Sequence, residues 1–171
     1  MIRPDLEAIP PYVPGVRDER AIKLSSNECA EGPLPPVLDA MREALSEINR
    51  YPDIGALKLR TVLGEHLGVA PEQVALGAGS SALCQQLVTA AAGPGDEVAF
   101  PWRSFEAYPI FVQVVGATPV RVPLGSDDRL DMPALAAAVT DRTKLIFICN
   151  PNNPTGTTIT SAEFTAFMDE V

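Results

Sequence analysis

Short apolar segments alternate with amphipathic segments along most of the chain, and this alternation constrains the fold more than any other feature. It predicts strands and helices in turn: strands at residues 74–76, 97–100, 118–122 and 144–149, and helices at residues 81–92, 105–115 and 132–139. Strands that alternate with helices in this way form a mostly parallel sheet covered by helices on both faces. We therefore predict an α/β fold with a doubly wound sheet.

Further helices are predicted before and after this region. Apolar residues at helical spacing mark residues 37–48 and 57–67, and Gly68 is a natural end for the second of these helices. Thr160 and Glu163 have the spacing of a capping box, which begins a final helix. The first twenty residues contain four prolines, which cannot propagate a helix, so an extended N-terminal arm is expected.

The composition argues against several kinds of partner and site. The chain has 22 acidic and 13 basic residues, whereas a nucleic-acid-binding surface needs clustered Lys and Arg. No apolar run is long enough for a transmembrane helix, and the N-terminus lacks the features of a secretory signal. One histidine, His66, and three scattered cysteines offer no metal-binding spacing. We expect a cytoplasmic protein without a metal, membrane or nucleic-acid partner.

Two polar turns follow predicted strands and could bind a ligand. The turn GAGSS at residues 77–81 precedes a helix, where glycines allow close approach and free N–H groups favour an anion. The turn NPNNPTG at residues 150–156 follows the strand at 144–149, at the edge where open α/β sheets bind ligands. Its prolines stiffen the backbone, and its asparagine amides can donate and accept hydrogen bonds. We predict that both turns lie at the carboxyl edge of one sheet.

The glycine turn also fits the dinucleotide fingerprint, with Gly77, Gly79 and Ala82 at the three required positions. That motif requires an acidic residue about 20 residues further on, at the far end of the second strand. Asp96 and Glu97 instead lie at the beginning of that strand. An NAD-binding dehydrogenase domain therefore stays an alternative that the position of the acids disfavours.

Five segments, in order, resemble the class I and II aminotransferases of fold type I, which depend on pyridoxal phosphate. They are LSSNE at residues 24–28, RYPD at 50–53, GAGS at 77–80, RSFEAY at 103–108 and NPNNPTG at 150–156. Within this family, the chain is similar to the histidinol-phosphate and aromatic amino acid (phenylalanine) aminotransferase branch. Histidinol-phosphate enzymes commonly carry Asp-Glu where this chain has Ser81-Ala82, which favours the aromatic enzymes.

The resemblance implies how the cofactor, pyridoxal 5′-phosphate, would be held. Ala78, Gly79 and Ser80 would bind its phosphate through backbone N–H groups and the serine hydroxyl. Phe105 would stack on the pyridine ring, and Asn153 would form a hydrogen bond with the phenolic oxygen of that ring.

The resemblance also implies roles for the first part of the chain. Tyr51 would reach the cofactor phosphate of the partner subunit in a homodimer, and Asn27 would lie near the substrate. Residues 1–34 would form the N-terminal arm and a substrate-side loop. Residues 35–171 would form the first, incomplete portion of the large cofactor-binding domain.

The implied reaction is amino transfer between an aromatic amino acid and a 2-oxo acid such as 2-oxoglutarate, with histidinol phosphate as the alternative amino donor. In members of the family, three further functional residues lie later in the sequence. They are the Schiff-base lysine, the aspartate at the pyridinium nitrogen and the arginine that binds the substrate carboxylate. The lysines here are Lys23, Lys58 and Lys144, and none suits the Schiff-base position. We expect an N-terminal fragment that is inactive alone, while a non-enzymatic remnant module is the other possibility left open.

Overall fold

The computed structural model describes residues 3–11, 18–24 and 26–171. Parts of the predicted N-terminal arm, and Ser25 of the segment at 24–28, lie outside the described residues. Within the described residues, no helix is long and apolar enough to cross a membrane.

The chain divides into two compact units. The smaller is Pro11–Ala75, and the larger combines Met1–Pro10 with Leu76–Val171. The boundary predicted after residue 34, between the arm and the large domain, stays a prediction.

Two helices form the regular structure of the smaller unit: α1 (Pro35–Ala44) and α2 (Leu57–Leu67). A 3-10 turn, Leu45–Glu47, extends α1 to nearly the predicted length. Gly68 ends α2 in the left-handed conformation, at φ 70°, which confirms the predicted end of this helix.

A parallel three-stranded sheet forms the centre of the larger unit. β1 (Glu97–Trp102) lies in the middle, between β2 (Thr118–Pro123) and β3 (Thr143–Ile146). The first residue of β1 pairs with the first residue of each neighbour, so the three strands start at the same edge. The chain moves outward from β1 to β2 and then crosses back to the other side of β1. This reversal is the predicted doubly wound arrangement.

Four helices cover the two faces of this sheet: α3 (Gly79–Ala91), α4 (Tyr108–Val114), α5 (Met132–Ala137) and α6 (Ser161–Glu170). Helices α3 and α4 belong to the apolar cluster that contains Val98 and Phe100. Helices α5 and α6 belong to the cluster that contains Ala99. Because neighbouring residues of β1 enter different clusters, the strand is buried on both faces, as predicted for an α/β fold.

Four predicted elements differ from the structure, and the first is the helix predicted at 105–115, which begins at Tyr108. Residues 74–76 do not form a strand, since no described segment pairs with them. β3 ends at Ile146 instead of residue 149. The start of the arm is a 3-10 helix, Pro4–Ala8, instead of an extended segment. This turn is anchored by Arg3, whose guanidinium donates hydrogen bonds to two carbonyl oxygens at the end of α4, at 2.9 and 3.2 Å.

The capping box predicted at the start of α6 is present. The Glu163 N–H donates to Thr160 Oγ1 at 3.2 Å, and the Thr160 N–H donates to Glu163 Oε2 at 2.6 Å. The hydrogen bonds that Glu163 Oε2 accepts from the Thr160 N–H and from the Thr160 hydroxyl, followed by the charge of Arg129, lower the pKa of the Glu163 carboxyl. A group with a lowered pKa stabilises the folded state above its unfolded-state pKa, and this stabilisation is lost as the pH falls through its folded-state pKa.

Substitutions in this cap should therefore show a defined pH dependence. We expect Thr160→Ala to lower the free energy of unfolding by about 1 kcal/mol, because it removes the N-cap acceptor. We expect the melting temperatures of wild type and Glu163→Gln to converge as the pH falls from about 6 to about 3. Glu170→Gln, at the other end of α6, is the matched control and should show no such convergence. A pH-independent gap between wild type and Glu163→Gln would contradict this role.

Candidate functional site

The loops that follow β1 and β3 lie next to each other at the carboxyl edge of the sheet. The chain leaves β1 toward α4 on one face, and it leaves β3 toward α6 on the opposite face. The two loops therefore diverge, and the point where such loops diverge is where open α/β sheets bind their ligands. Phe105 lies in the first loop, and the turn at 150–156 is the second.

A buried hydrogen-bond network joins these two loops. Ser104 Oγ donates to Asn152 Oδ1 at 2.8 Å, and both residues are almost completely buried, with 0% and 2% exposure. Asn152 Nδ2 donates to the Arg103 carbonyl at 3.1 Å and to Thr155 Oγ1 at 2.9 Å. This pair was not predicted from the sequence. No local sequence pattern indicates such a role for Ser104. Asn152 belongs to the motif at 150–156, but the resemblance assigned a role there only to Asn153.

The turn at 150–156 is closed by its own backbone. The Asn152 carbonyl accepts from the Gly156 N–H at 2.7 Å, and the Asn152 N–H donates to the Thr157 carbonyl at 2.8 Å. Asn153 is partly buried, and its side chain forms no hydrogen bond with any residue that the structure describes. Its amide therefore remains available to a ligand.

Phe105 is partly exposed at the edge of an aromatic cluster. Its ring meets Tyr108 edge-on, with centroids 5.4 Å apart, and Phe111 at a tilt, with centroids 6.4 Å apart. Tyr108 is stacked on Phe147 at 4.4 Å, and its burial raises the pKa of its phenol above the ordinary range. Neutral aromatic neighbours thus hold Phe105 in place while part of its ring faces solvent.

Ala78, Gly79 and Ser80 form the exposed start of α3. Gly79 adopts φ 75°, where a side chain is disfavoured although a Cβ atom would meet no neighbour. No side chain caps the first N–H groups of this thirteen-residue helix, but the Gly79 N–H donates to the Gly77 carbonyl at 2.8 Å. Uncapped N–H groups at the positive end of a helix dipole favour an anion.

The packing of α3 brings this turn to the same edge as the other two loops. A five-residue turn joins the end of α3 to the start of β1, so α3 runs back along the sheet. Both elements are roughly 20 Å long. Cys84, one helical turn after Ser80, packs in the same cluster as Cys149, which directly precedes the turn at 150–156. Both thiols lie close enough to Tyr108 to raise its pKa.

Tyr51 and Asn27 belong to the smaller unit. Tyr51 is 99% exposed and lies in an irregular segment between α1 and α2. Asn27 is exposed in a turn and adopts φ 52°. Their proposed contacts with cofactor and substrate stay predictions.

Lys144 is the one lysine in the larger unit, and it lies at the wrong edge of the sheet for the Schiff-base role. It is the second residue of β3, at the amino edge, and its Nζ donates to the Asp141 carbonyl at 2.9 Å. In the smaller unit, Lys23 is paired with Glu28, and Lys58 is exposed on α2.

The acid required by the dinucleotide alternative is also at the amino edge. Glu97, the first residue of β1, is buried and accepts hydrogen bonds from Thr140 Oγ1, at 2.6 Å, and from Arg142. Its carboxylate stabilises the start of the sheet and lies at the edge opposite the two loops, which argues against a dinucleotide site.

Comparison with known proteins identifies close relatives in sequence. Residues 19–171 match the family model described as aminotransferase class I and II. An aromatic amino acid aminotransferase from Corynebacterium glutamicum is 63% identical over 171 residues, which are 100% of this chain and 50% of the relative. One from Rhodococcus jostii is 58% identical over 99% of this chain and 47% of the relative. The chain thus spans about half the length of the curated relatives it matches.

Solved structures share the fold. A tetra mutant of the aspartate aminotransferase from Thermus thermophilus has a TM-score of 0.80 at 27% identity, covering 99% of this chain and 47% of that one. Histidinol-phosphate aminotransferase from Sinorhizobium meliloti, in complex with pyridoxal-5′-phosphate, has a TM-score of 0.75 at 31% identity, with coverage of 82% and 38%. The resemblance carried by the five sequence motifs is confirmed, and the chain belongs to the class I and II aminotransferase family.

Proposed function

We propose that the protein containing this chain uses pyridoxal phosphate to transfer an amino group between an aromatic amino acid and a 2-oxo acid such as 2-oxoglutarate. The observation that carries the proposal is the 63% identity, over the whole chain, to a relative named aromatic amino acid aminotransferase. A histidinol-phosphate aminotransferase is among the structural relatives at 31% identity, so histidinol phosphate is the competing amino donor.

The residues at the carboxyl edge of the sheet fit the phosphate and the ring of this cofactor. The start of α3 offers uncapped N–H groups and the Ser80 hydroxyl, which are donors suited to a phosphate. Phe105 offers a partly exposed aromatic ring, and Asn153 offers an amide that is not used within the protein. Ala78 and Gly79 bring no bulk to the turn, so a phosphate can approach the backbone closely.

In this proposal, the described residues bind and orient, and they do not transfer the proton. Pyridoxal phosphate, when bound, supplies an electron sink for the charge that develops at the substrate Cα. The N–H groups of α3 would offset the phosphate charge, the Asn153 amide would donate to the phenolic oxygen, and Phe105 would shield one region of the ring from water. Lys144 is engaged at the opposite edge of the sheet, so we assign proton transfer at Cα to a residue outside this chain.

The proposal extends to a cytoplasmic homodimer. Tyr51 supports it, because a phenol that is 99% exposed on its own unit is free to reach the phosphate of a partner subunit. Asn27, exposed in its turn, would line the substrate side of the same site.

The phosphate contact can be tested on the chain itself. We expect Ser80→Ala to weaken the binding of both pyridoxal phosphate and inorganic phosphate by about tenfold, because the hydroxyl donates to a charged group. Equilibrium dialysis measures both affinities. Ser46→Ala removes an exposed serine hydroxyl that, among the described residues, donates to the Glu43 carbonyl, and as the matched control it should change neither affinity. Equal affinities for wild type and Ser80→Ala would argue against this phosphate site.

The substrate can be tested with the protein at its full length. Purified with pyridoxal phosphate and assayed with 2-oxoglutarate, it should show a higher kcat/KM for phenylalanine than for histidinol phosphate. A preference for histidinol phosphate would move the protein to the other branch of the family. Turnover of neither donor would overturn the proposed substrate class.

A further inference from the structure

The Ser104–Asn152 pair does not bind a ligand directly. Ser104 is fully buried, and its hydroxyl donates to Asn152 Oδ1. Both donor directions of the Asn152 amide are directed to protein acceptors, one in each loop. Neither side chain has an accessible polar group left for a cofactor, so any effect of the pair on the site is exerted through its neighbours.

Those neighbours are the two residues that would contact the cofactor ring. Phe105 directly follows Ser104 in the loop after β1, and Asn153 directly follows Asn152 in the loop after β3. The pair is separated by 48 residues in sequence, and its hydrogen bond crosses the point where the two loops diverge. It therefore links the backbone positions of Phe105 and Asn153.

We propose that Ser104 and Asn152 are positioning residues that fix Phe105 relative to Asn153, and thereby determine how well the pyridine ring is held. This inference rests on the proposed function. Within it, phosphate binding at α3 is independent of the pair, because the start of α3 contributes to neither side of the network. Two ligands therefore separate ring recognition from phosphate recognition.

The test compares the affinities of the cofactor-free protein, at its full length, for pyridoxal phosphate and for inorganic phosphate, measured by equilibrium dialysis. We expect Ser104→Ala to weaken the binding of pyridoxal phosphate about fivefold, which corresponds to the loss of one neutral hydrogen bond, and to leave inorganic phosphate unchanged. The readout is the ratio of the two affinities, because a loss of folded protein lowers both by the same factor. Val122→Ala, in the apolar cluster on the other face of the sheet, is the control for destabilisation and should preserve the ratio.

A second variant keeps the test decisive if Ser104→Ala does not fold. Ser104→Cys retains a side chain of similar size with a weaker donor, and it should change the ratio in the same direction by a smaller amount. A ratio equal to that of wild type in the folded Ser104 variants would overturn the positioning role and leave the proposed function intact. If wild type itself binds pyridoxal phosphate no more tightly than inorganic phosphate, the proposed function fails, and the inference fails with it.

Discussion

The 171-residue chain is expected to give no turnover when it is mixed with pyridoxal phosphate, phenylalanine and 2-oxoglutarate. Transamination needs an unprotonated amine beside the cofactor aldehyde and the substrate Cα. The chain has three lysines, and the one in the larger unit, Lys144, donates its hydrogen bond at the amino edge of the sheet. The candidate site lies at the carboxyl edge. Phosphate recognition at α3 can persist without this amine, because its donors come mostly from the backbone.

The measurement combines a transaminase assay with borohydride reduction and mass spectrometry of the labelled chain. The aromatic amino acid aminotransferase of Corynebacterium glutamicum, run in parallel, is the positive control for the assay. Reduction should label lysines weakly and without preference. Turnover near that of the control, or a trapped adduct on one specific lysine, would show that this chain contains a competent amine.

Local sequence signals predicted the parts of the fold that local interactions determine. The end of α2 at Gly68 needs only a residue that tolerates positive φ. The capping box at Thr160 and Glu163 needs two polar side chains three residues apart. The alternation of strands and helices likewise follows from which faces are apolar, and the sheet is parallel and covered on both faces as expected.

The features that the sequence did not reveal depend on contacts between distant residues. An apolar segment at 74–76 favours extended backbone, but a strand also requires a neighbour that supplies hydrogen bonds. Arg3 fixes the start of the chain to carbonyls more than 100 residues away, near Val114, and no local pattern signals that contact. The density of prolines alone therefore predicted an extended segment, whereas the structure has a short 3-10 helix there.

The candidate site follows the same division. The two turns were found because glycine, proline and asparagine at these positions have direct conformational consequences. The Ser104–Asn152 bond was missed because a buried serine has the same local signature as an exposed one, and only the approach of two loops gives it a partner. The motif indicated a role for Asn153, whereas the hydrogen bonds between the two loops are made by its neighbour Asn152.

Alanine variants of two phenylalanines, Phe100 in β1 and Phe105 in the loop after it, should separate an effect on stability from an effect on cofactor binding. Phe100, at the centre of β1, has 0% exposure and packs against Tyr108 and Trp102. We expect Phe100→Ala to lower the free energy of unfolding by about 3–5 kcal/mol, since it leaves a cavity in the core. Folded domains are stable by only about 5–15 kcal/mol, so this loss is severe. Urea denaturation measures it.

Phe105→Ala removes the same ring from a partly exposed position and is the matched variant. We expect a clearly smaller loss of stability, because Phe105 is partly exposed whereas Phe100 is completely buried. We also expect the binding of pyridoxal phosphate to weaken while the binding of inorganic phosphate is retained, because the cofactor ring loses its stacking partner. If Phe105→Ala destabilises the chain as much as Phe100→Ala and leaves the ratio of the two affinities unchanged, Phe105 is a core residue with no part in ring recognition.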